Sequence, residues 1–586
     1  MRILFLYSDI GTYLEKHYPQ GIGSLSAVLK QAGHQTALLW LSIDPGREAL
    51  NEKVRSYHPD LIGFSVLTNQ FHHLRRFAGW IHEDLGVPII AGGIHATVVP
   101  EEVIRVPGIE MVCLGEAEEA LAELAEALDH DCDPSGILNL WVKRGEEVIK
   151  NPVRPLLQDL DALPFPDREI VTDELPDLSL MTGRGCPYAC EYCANSARRA
   201  IYKGLGKYVR RRSPRNLLAE IRAAVKAKRP AKLDFNDDVF TLDKDWVREF
   251  CAAYAAEFDL PFDVNLHVET VDREMLELMK RAGCRWVRVG VESGSERVRR
   301  EIMGRPMPEA KIKQVFRDAE AVGLYTWAFN MVGLPTETPA EAAETFRLNE
   351  ELFPEHMQVS VFNPYPGTRL YALCRERGWQ SGREVDGYFV PESVLNMPQF
   401  PPDQIAEWHR RLTHLSDTLK NRKRLRRELG TRKILLDLIE LLPQAEISAP
   451  LPNYVCEDYF TLGEDVRRVL MVHPPSSVRF RFTLAKPAEL RFGLAMHPGV
   501  WDKPGGQGVI FTVRLGRKNK QLETIFEKKL DPKGQVNERA WHEAGLDLAR
   551  FTGKTITLEL ETRTQDPAAT DFNTVGWSNP ILVEAE

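Results

Sequence analysis

The sequence lacks several features that would identify whole classes of protein. Its 586 residues contain no apolar run of about 18 residues, the length that a membrane-spanning helix requires, so membrane association is not expected. The first residues, MRILFLYSDIG, turn polar quickly and carry no small-residue cleavage site, which predicts a strand and not a signal peptide. The formal net charge is −9, and an acidic chain is a poor binder of nucleic acid.

Cysteine is also scarce. Nine cysteines in so long a chain, with no export signal, indicate a reducing compartment and therefore a cytoplasmic location. The odd number suits thiolate ligands better than paired disulfides. Hydrophobic residues make up 43% and charged residues 27%, which excludes a disordered chain and predicts ordinary globular domains.

The order of strand and helix patterns predicts four structured regions and a linker. Residues 1–128 alternate buried strands with helices, as a doubly wound α/β domain does. Residues 129–175 form a polar linker with a hairpin. Six strand runs separated by helices predict a partial (βα)6 TIM-like barrel in residues 176–375. Residues 376–447 form a charged helical segment, and 448–586 an all-β, jelly-roll-like sandwich.

The most specific motif is RGCPYACEYCANS, which places Cys186, Cys190 and Cys193 within eight positions. Soft thiolates bind iron–sulfur clusters, zinc or copper. A structural zinc site uses four ligands in paired C-x-x-C elements, whereas the next cysteine along this chain is Cys251. Three thiolates on a cubane cluster would leave one iron open to bind and cleave a ligand. A zinc site remains the alternative.

The spacing C-x-x-x-C-x-x-C, with aromatic Tyr192 before the last cysteine, resembles the radical S-adenosyl-L-methionine (radical SAM) superfamily. Four further segments fall at strand ends in that family's order: FNDDVF at 235–240, GVESGS at 290–295, MVGLPTET at 331–338 and PYPGTRLY at 364–371. The family's fold is a partial βα barrel, which agrees with the six predicted strands. The resemblance implies that the three cysteines hold a 4Fe–4S cluster, that SAM chelates its fourth iron, and that Tyr192 lines the adenine side.

The resemblance also implies SAM-binding roles on the later strands, for Asn236, Asp237, Asp238, His267, Glu292 and Ser293. Residues 236–238 occupy the position that engages the methionyl amine, because an ammonium group requires acceptors and a compensating charge. Residues 292–293 match the segment that meets the ribose or carboxylate, and His267 is expected at the same barrel mouth. Polar turns after strands are also common without a ligand, so structural roles are the alternative.

Residues 1–128 resemble cobalamin-binding doubly wound domains. Ser65-Val66-Leu67 follows one strand, and Gly92-Gly93 follows the next. In that family the serine approaches the nucleotide tail of cobalamin, and the small glycines leave room for it. No G-x-G-x-x-G follows the first strand, so nicotinamide binding is not expected. A purely structural sheet is the alternative.

One position departs from a related pattern. Cobalamin proteins that ligate cobalt with histidine carry D-x-H-x-x-G after the first strand, and here the matching stretch runs from Asp9 to Leu14 with Gly11 in the histidine's place. We therefore predict no histidine ligand on the lower face of cobalt. His72 and His95 are alternative ligands, although a structural or surface role is the simpler interpretation of each.

These resemblances together imply a cobalamin-dependent radical SAM methyltransferase. SAM would be cleaved reductively to a 5′-deoxyadenosyl radical, which removes hydrogen from an unactivated carbon of a small-molecule substrate before methylcobalamin supplies the methyl group. The electron would come from a low-potential donor such as flavodoxin or ferredoxin. One alternative is an oxidative cyclase or rearrangement enzyme without methyl transfer. Another is a cobalamin- or sugar-binding protein with a vestigial barrel, its sandwich tryptophans (Trp501, Trp541 and Trp577) stacking on sugars.

Overall fold

The computed structural model describes residues 1–12, 17–172, 175–387, 389–463, 465–503, 508–517, 521–564 and 573–585. The chain divides into two units, Met1–Thr413 and His414–Glu586. Among the described residues, no helix combines the length and hydropathy needed to cross a membrane.

A seven-stranded sheet opens the first unit, in the order β2-β1-β3-β4-β5-β6-β7. Its strands are β1 (Arg2–Ser8), β2 (Gln35–Leu41), β3 (Leu61–Ser65), β4 (Ile89–Gly92), β5 (Met111–Cys113), β6 (Leu140–Arg144) and β7 (Glu147–Lys150). The helices are α1 (Gln20–Gln31), α2 (Arg47–Tyr57), α3 (Phe71–Leu85), α4 (Ile94–Val98), α5 (Pro100–Ile104) and α6 (Glu118–Asp129). The first five strands are parallel, and six of the seven residues of central β1 are buried, as expected for a strand covered on both faces. The hairpin β6–β7, inside the predicted linker, extends the sheet antiparallel.

The second sheet of this unit has six parallel strands in the order β15-β14-β13-β12-β11-β8, and β9 pairs separately with β10. The strands are β8 (Leu178–Leu180), β9 (Gly183–Arg184), β10 (Arg210–Arg211), β11 (Leu233–Phe235), β12 (Phe262–Leu266), β13 (Cys284–Glu292), β14 (Tyr325–Val332) and β15 (His356–Val361). The helices are α7 (Ala194–Ile201), α8 (Pro214–Ala227), α9 (Lys244–Glu257), α10 (Arg273–Arg281), α11 (Glu309–Ala321), α12 (Pro339–Leu352) and α13 (Arg369–Glu376), with a π-helical turn at Val298–Ile302. Six parallel strands alternating with helices form the predicted partial barrel.

Local sequence explains where the barrel helices begin. Asp243 accepts the backbone N–H groups of Asp245 and Trp246 at the start of α9. Thr338 and Glu341 form a reciprocal capping box at the start of α12. Because all six strands run in parallel, their carboxyl ends share one edge, and the loops that follow them are brought together there.

Residues 376–447 contain one long helix, α14 (Pro402–Leu429), within which the boundary between the two units falls. The second unit then has eleven strands: β16 (Ile434–Asp437), β17 (Glu446–Ser448), β18 (Val455–Leu462), β19 (Asp465–Val472), β20 (Ser476–Thr483), β21 (Ala488–Met496), β22 (Val509–Arg517), β23 (Glu523–Leu530), β24 (His542–Asp547), β25 (Thr555–Thr564) and β26 (Val575–Glu584). They form two antiparallel sheets, β18-β19-β26-β21-β24 with β16 beside β26, and β17-β20-β25-β22-β23. Trp577 is fully buried between the rings of Phe492 and Phe511, so this tryptophan belongs to the core. The predicted fold class is confirmed.

Candidate functional site

The cysteine motif forms the loop between β9 and α7. Cys190 is buried, Cys186 and Cys193 are half-buried, and all three are free thiols. The Cys193 N–H donates to the Cys190 carbonyl at 3.1 Å, which turns the loop into the first residue of α7. Burial raises the pKa of the Cys186 and Cys193 thiols to about 11, so their thiolates require a cationic partner.

The spread of these thiols fits an iron–sulfur cluster better than a single ion. Among the described residues, one group of three His, Cys, Asp or Glu side chains brings its ligand atoms within 4.8 Å of one another, and it does not include the cysteines. Around one tetrahedral zinc ion, with Zn–S bonds of about 2.3 Å, sulfur atoms lie about 3.8 Å apart. In a cluster each thiolate binds a different iron, so a wider spacing is required.

Arg305 and Glu292, both half-buried, contact the cysteine loop. The Arg305 Nη1 is 3.7 Å from the Cys190 Sγ, and its Nη2 donates to the Gly290 carbonyl at 3.1 Å. The Tyr192 hydroxyl donates to Glu292 Oε1 at 3.3 Å. Burial raises the pKa of Glu292 despite the nearby Arg305 charge. The absence of a side chain at Gly290 matters, because a Cβ there would lie 2.9 Å from Arg305 Nη2 and would also collide with the Glu292 carboxylate. Sequence reasoning missed Arg305, which follows the π-helical turn and belongs to no motif segment quoted above.

His267 supports the same loop from the side. Its ring stacks on Tyr188 of the cysteine loop, with centroids 4.0 Å apart and planes at 19°. Its Nδ1 accepts the backbone N–H of Glu269 at 3.3 Å. Burial, together with the charge of Arg305, lowers the pKa of His267 to about 3, so the imidazole is neutral. The structure therefore places His267 at the barrel mouth as a neutral ring packed on the loop.

The three polar residues after β11 have different surroundings. The Asp237 carboxylate accepts the Thr182 N–H at 3.0 Å and the Thr182 hydroxyl at 2.7 Å, and Asn236 Nδ2 donates to Ser179 Oγ at 2.7 Å. Through these hydrogen bonds the turn after β11 is bound to Ser179 within β8 and to Thr182 just after it. Asp238 lines the cavity described below, and burial raises the pKa of its carboxyl.

Ser293 does not join this group. It is fully buried, its hydroxyl lies 3.4 Å from the Thr345 hydroxyl on α12, and it accepts the Ser295 N–H at 3.2 Å. The structure thus brings together the cysteines, Tyr192, Glu292 and His267 around Arg305, and turns Ser293 toward a helix.

A cavity of about 380 Å³ connects the carboxyl ends of the first sheet with the barrel mouth. On the sheet side Ser65, Gly92 and Gly93 line it, and on the barrel side Asn195 and Asp238 do so. A Cβ at Gly92 would meet no atom closer than 3.9 Å, so this glycine keeps cavity volume open. A Cβ at Gly93 would lie 2.7 Å from the Val66 nitrogen, and its φ of 91° also favours glycine.

The other predicted residues of the first domain lie away from this cavity. Leu67, half-buried after β3, is not among its lining residues, and neither are His72 and His95. His95 packs on Phe71 with ring centroids 4.3 Å apart, and burial lowers its pKa to about 4. Gly11 has a φ of 67°, whereas the Tyr13 and Leu14 positions of the motif comparison lie outside the described residues.

Buried ion pairs join the start of α6 to the chain just before the cysteines. Arg184 Nη2 lies 2.5 Å from Glu118 Oε1, and Arg184 Nη1 lies 3.1 Å from Glu116 Oε2. Arg210 also binds Glu116, at 2.5 Å. The Tyr202 hydroxyl accepts the Glu116 N–H at 2.7 Å, and a Cβ at neighbouring Gly115 would collide with that hydroxyl. These ion pairs connect the first domain with the barrel domain.

Comparison with known families matches the two domains separately. The family model described as Radical SAM superfamily matches residues 180–348, and the one described as B12 binding domain matches residues 9–125. An uncharacterized methyltransferase of Pyrococcus horikoshii is 26% identical over 400 residues, which is 66% of this chain and 85% of the relative. The cytidylyl-2-hydroxyethylphosphonate methyltransferase of Streptomyces wedmorensis is 23% identical, over 67% of this chain and 84% of its own.

A cyclase and a solved methyltransferase structure are also similar to this chain. The anaerobic magnesium-protoporphyrin IX monomethyl ester cyclase of Cereibacter sphaeroides is 25% identical, over 64% of each chain. Among solved structures, this chain is similar to the radical SAM methyltransferase TsrM from Kitasatospora setae with tryptophan and a SAM analogue bound. The superposition covers 70% of this chain and 83% of the TsrM chain, with a TM-score of 0.55 and 21% sequence identity. At that identity the structural similarity supports the fold.

Proposed function

We propose, from the premise that this chain belongs to the cobalamin-dependent radical SAM enzymes, that it transfers a methyl group from SAM to an unactivated carbon of a small molecule. The observation that carries the proposal is the cavity shared by the two domains, which places the glycine-lined strand ends opposite the barrel mouth. Each of the two methyltransferase relatives aligns with about two thirds of this chain.

The residues that line the cavity, and the cysteine loop next to them in sequence, suit the cofactors that this function requires. Gly185 and Asn195, on either side of the cysteines, line the cavity, whereas the cysteines themselves do not. Cys186, Cys190 and Cys193 would hold the 4Fe–4S cluster, and the Arg305 guanidinium beside Cys190 offsets part of the thiolate charge. Residues Ser65, Gly92 and Gly93 leave the room that cobalamin needs at the strand ends. When bound, the cluster supplies the electron for reductive cleavage of SAM, and cobalamin carries the methyl group that is transferred.

The chain's own residues orient SAM and protect the reaction. The Asp238 carboxylate, beside Asn195, is the acceptor at the cavity wall for the methionyl amine. Arg305 and Glu292 together offer one cation and one carboxylate to the polar groups of SAM. Apolar residues Leu160, Leu163 and Met181 line the same cavity and exclude water from it.

We further propose a cytoplasmic location and reduction by flavodoxin or ferredoxin. All nine cysteines are free, as a reducing compartment requires.

The test is anaerobic and uses methyl-deuterated SAM. The protein is reconstituted with iron, sulfide and hydroxocobalamin, reduced, and given a small-molecule extract. We expect 5′-deoxyadenosine and S-adenosylhomocysteine to form in step, with a deuterated methyl group in one product. The Cys190→Ala variant should form neither, whereas Cys251→Ala, a buried cysteine on α9, should behave as the parent does. If 5′-deoxyadenosine forms with substrate but S-adenosylhomocysteine does not, the protein is a cyclase or rearrangement enzyme, as the cyclase relative would suggest. If neither forms in a cluster-loaded protein across a broad set of extracts, the methyltransferase proposal is wrong.

A further inference from the structure

A short segment after α13 binds the loop that replaces the cobalt-binding motif. Asp386 Oδ1 lies 2.9 Å from His72 Nε2 and 2.8 Å from His73 Nε2, both at the start of α3. His73 is buried, and Asp386 is separated from it by 313 positions in the sequence. This contact therefore joins the chain after the barrel to the first domain. We call residues 384–387 the strap.

The backbone of Asp386 also makes hydrogen bonds to the first domain, in addition to those of its side chain. The Asp386 carbonyl accepts Gln70 Nε2 at 3.1 Å and Asn69 Nδ2 at 2.5 Å. The same Gln70 side chain accepts the Ile10 N–H at 3.1 Å and donates to the Ile10 carbonyl at 2.9 Å. One amide group thus connects the strap to the loop that follows β1.

The strap also packs directly on Gly11. A Cβ at Gly11 would lie 2.8 Å from the Asp386 Cβ, and a Cβ at Gly387 would collide with the Gly11 carbonyl oxygen. Because Gly11 has a φ of 67°, a side chain there would be strained even without the strap. The position where related cobalamin proteins carry the cobalt-binding histidine is therefore covered by another part of this chain.

The two histidines and Asp386 are residue types that bind metals, and their ligand atoms lie within 4.8 Å of one another. However, the proton on the His73 ring is on the nitrogen that would have to bind the metal. Its Nδ1 lies 3.0 Å from Arg76 Nη2, and a guanidinium group only donates. His73 Nδ1 must therefore accept, which leaves the proton on Nε2, where it is donated to Asp386. A metal-binding histidine instead presents the lone pair of one nitrogen to the ion and donates from the other.

We propose that the strap fixes residues 9–11 after β1 in place of the cobalt–histidine bond that this segment lacks. Asp386 does not line the cavity, so it would be a positioning residue that acts on cobalamin binding through this segment. A histidine ligand would hold such a loop through the metal. Here the Asp386 carboxylate and carbonyl hold it through hydrogen bonds to α3 and to the residues before it. The inference rests on the proposed function, because it assumes that this domain binds cobalamin.

The test compares three single variants for binding of hydroxocobalamin, followed by absorbance. Asp386→Ala removes both histidine contacts and should weaken binding about tenfold, the equivalent of one hydrogen bond to a charged group. Asp386→Asn keeps the acceptor oxygen and should restore most of the affinity. Asp259→Asn, which alters an exposed ion pair with Arg229 outside the strap and the first domain, is the matched control and should bind as the parent does.

Two further measurements separate positioning from general stability. The electron paramagnetic resonance spectrum of bound cob(II)alamin should change in Asp386→Ala and not in Asp259→Asn. Gly11→Ala should weaken cobalamin binding less in an Asp386→Gly background than in the parent, because Asp386→Gly removes the Cβ that opposes position 11. This pair keeps the test decisive if Asp386→Ala does not fold.

The outcomes distinguish the strap from the proposed function. If the parent protein does not bind cobalamin, the proposed function fails. If the parent binds and Asp386→Ala gives the same affinity and spectrum, the strap proposal is overturned. Stoichiometric zinc in the purified protein that is lost in Asp386→Asn would also overturn it, in favour of a metal site.

Discussion

Replacing Arg184 by methionine should destabilise the first unit by about 3–5 kcal/mol, because it removes one partner of a buried ion pair. Glu118 is 8% exposed, and Arg184 Nη2 lies 2.5 Å from its Oε1. Glu116 keeps Arg210 in the variant, whereas Glu118 would keep no cationic partner among the described residues, only neutral donors such as the Ser24 hydroxyl at 2.9 Å. The cost therefore falls on the Glu118 carboxylate.

The pH dependence follows from the same pair. Burial raises the pKa of Glu118, but the charge and hydrogen bond of Arg184 outweigh burial and leave the pKa below its usual value. A lowered folded-state pKa contributes stability above the unfolded-state pKa, and this stability is lost as the pH falls through the folded-state value. The deficit of Arg184→Met should therefore be complete at neutral pH and should shrink in acid, where the carboxyl is protonated in both proteins.

Urea denaturation of the cofactor-free protein at neutral pH and at a pH below 4.5, the ordinary pKa of a glutamate, measures this deficit. The matched control is the double variant Arg184→Met/Glu118→Met, which should recover most of the loss because no charge is left unpaired. The reasoning is refuted if Arg184→Met is as stable as the parent at neutral pH, or if the double variant is no more stable than the single one.

Three further predictions concern the site itself. Cys190→Ala should lose cluster absorbance and iron, whereas Cys251→Ala should retain both; equal iron content would contradict the assignment. Asp238→Asn should weaken SAM binding about tenfold, since a charge-assisted contact is lost, with little change in stability, measured by calorimetry and urea denaturation. Asp237→Asn should lower the stability and leave SAM binding nearly unchanged, because the Asp237 oxygens bind Thr182. Equal effects of the two variants would argue against these different roles. Gly92→Leu should fill cavity volume and lower cobalamin affinity without loss of SAM binding, as titration of each ligand would show.

The cysteine loop and the partial barrel could be predicted because their signals are local. Thiolate spacing lies within eight residues, and each strand ends in a recognisable polar or glycine turn. The same applies to Gly92 and Gly93, whose glycine doublet follows a buried strand.

Other parts of the site depend on contacts that sequence patterns do not contain. Asp237 and Asp238 are adjacent in one turn. The Thr182 contact, made next to the pairing of β8 with β11, binds Asp237, whereas Asp238 lines the cavity. Arg305 reaches Cys190 across 115 positions, and the strap reaches Asn69 across 317. No periodicity or spacing rule connects residues so far apart.

The contact between Gly115 and the Tyr202 hydroxyl has a consequence for how related sequences vary. Position 115 can accept no side chain while position 202 carries a tyrosine, because the Cβ and the hydroxyl would occupy the same space. Relatives with alanine or a larger residue at position 115 should therefore carry a shorter residue at 202, and the two changes should occur together. Covariation of positions 115 and 202 in an alignment would show that the two domains are in contact at this point and that substitutions on one side are matched on the other.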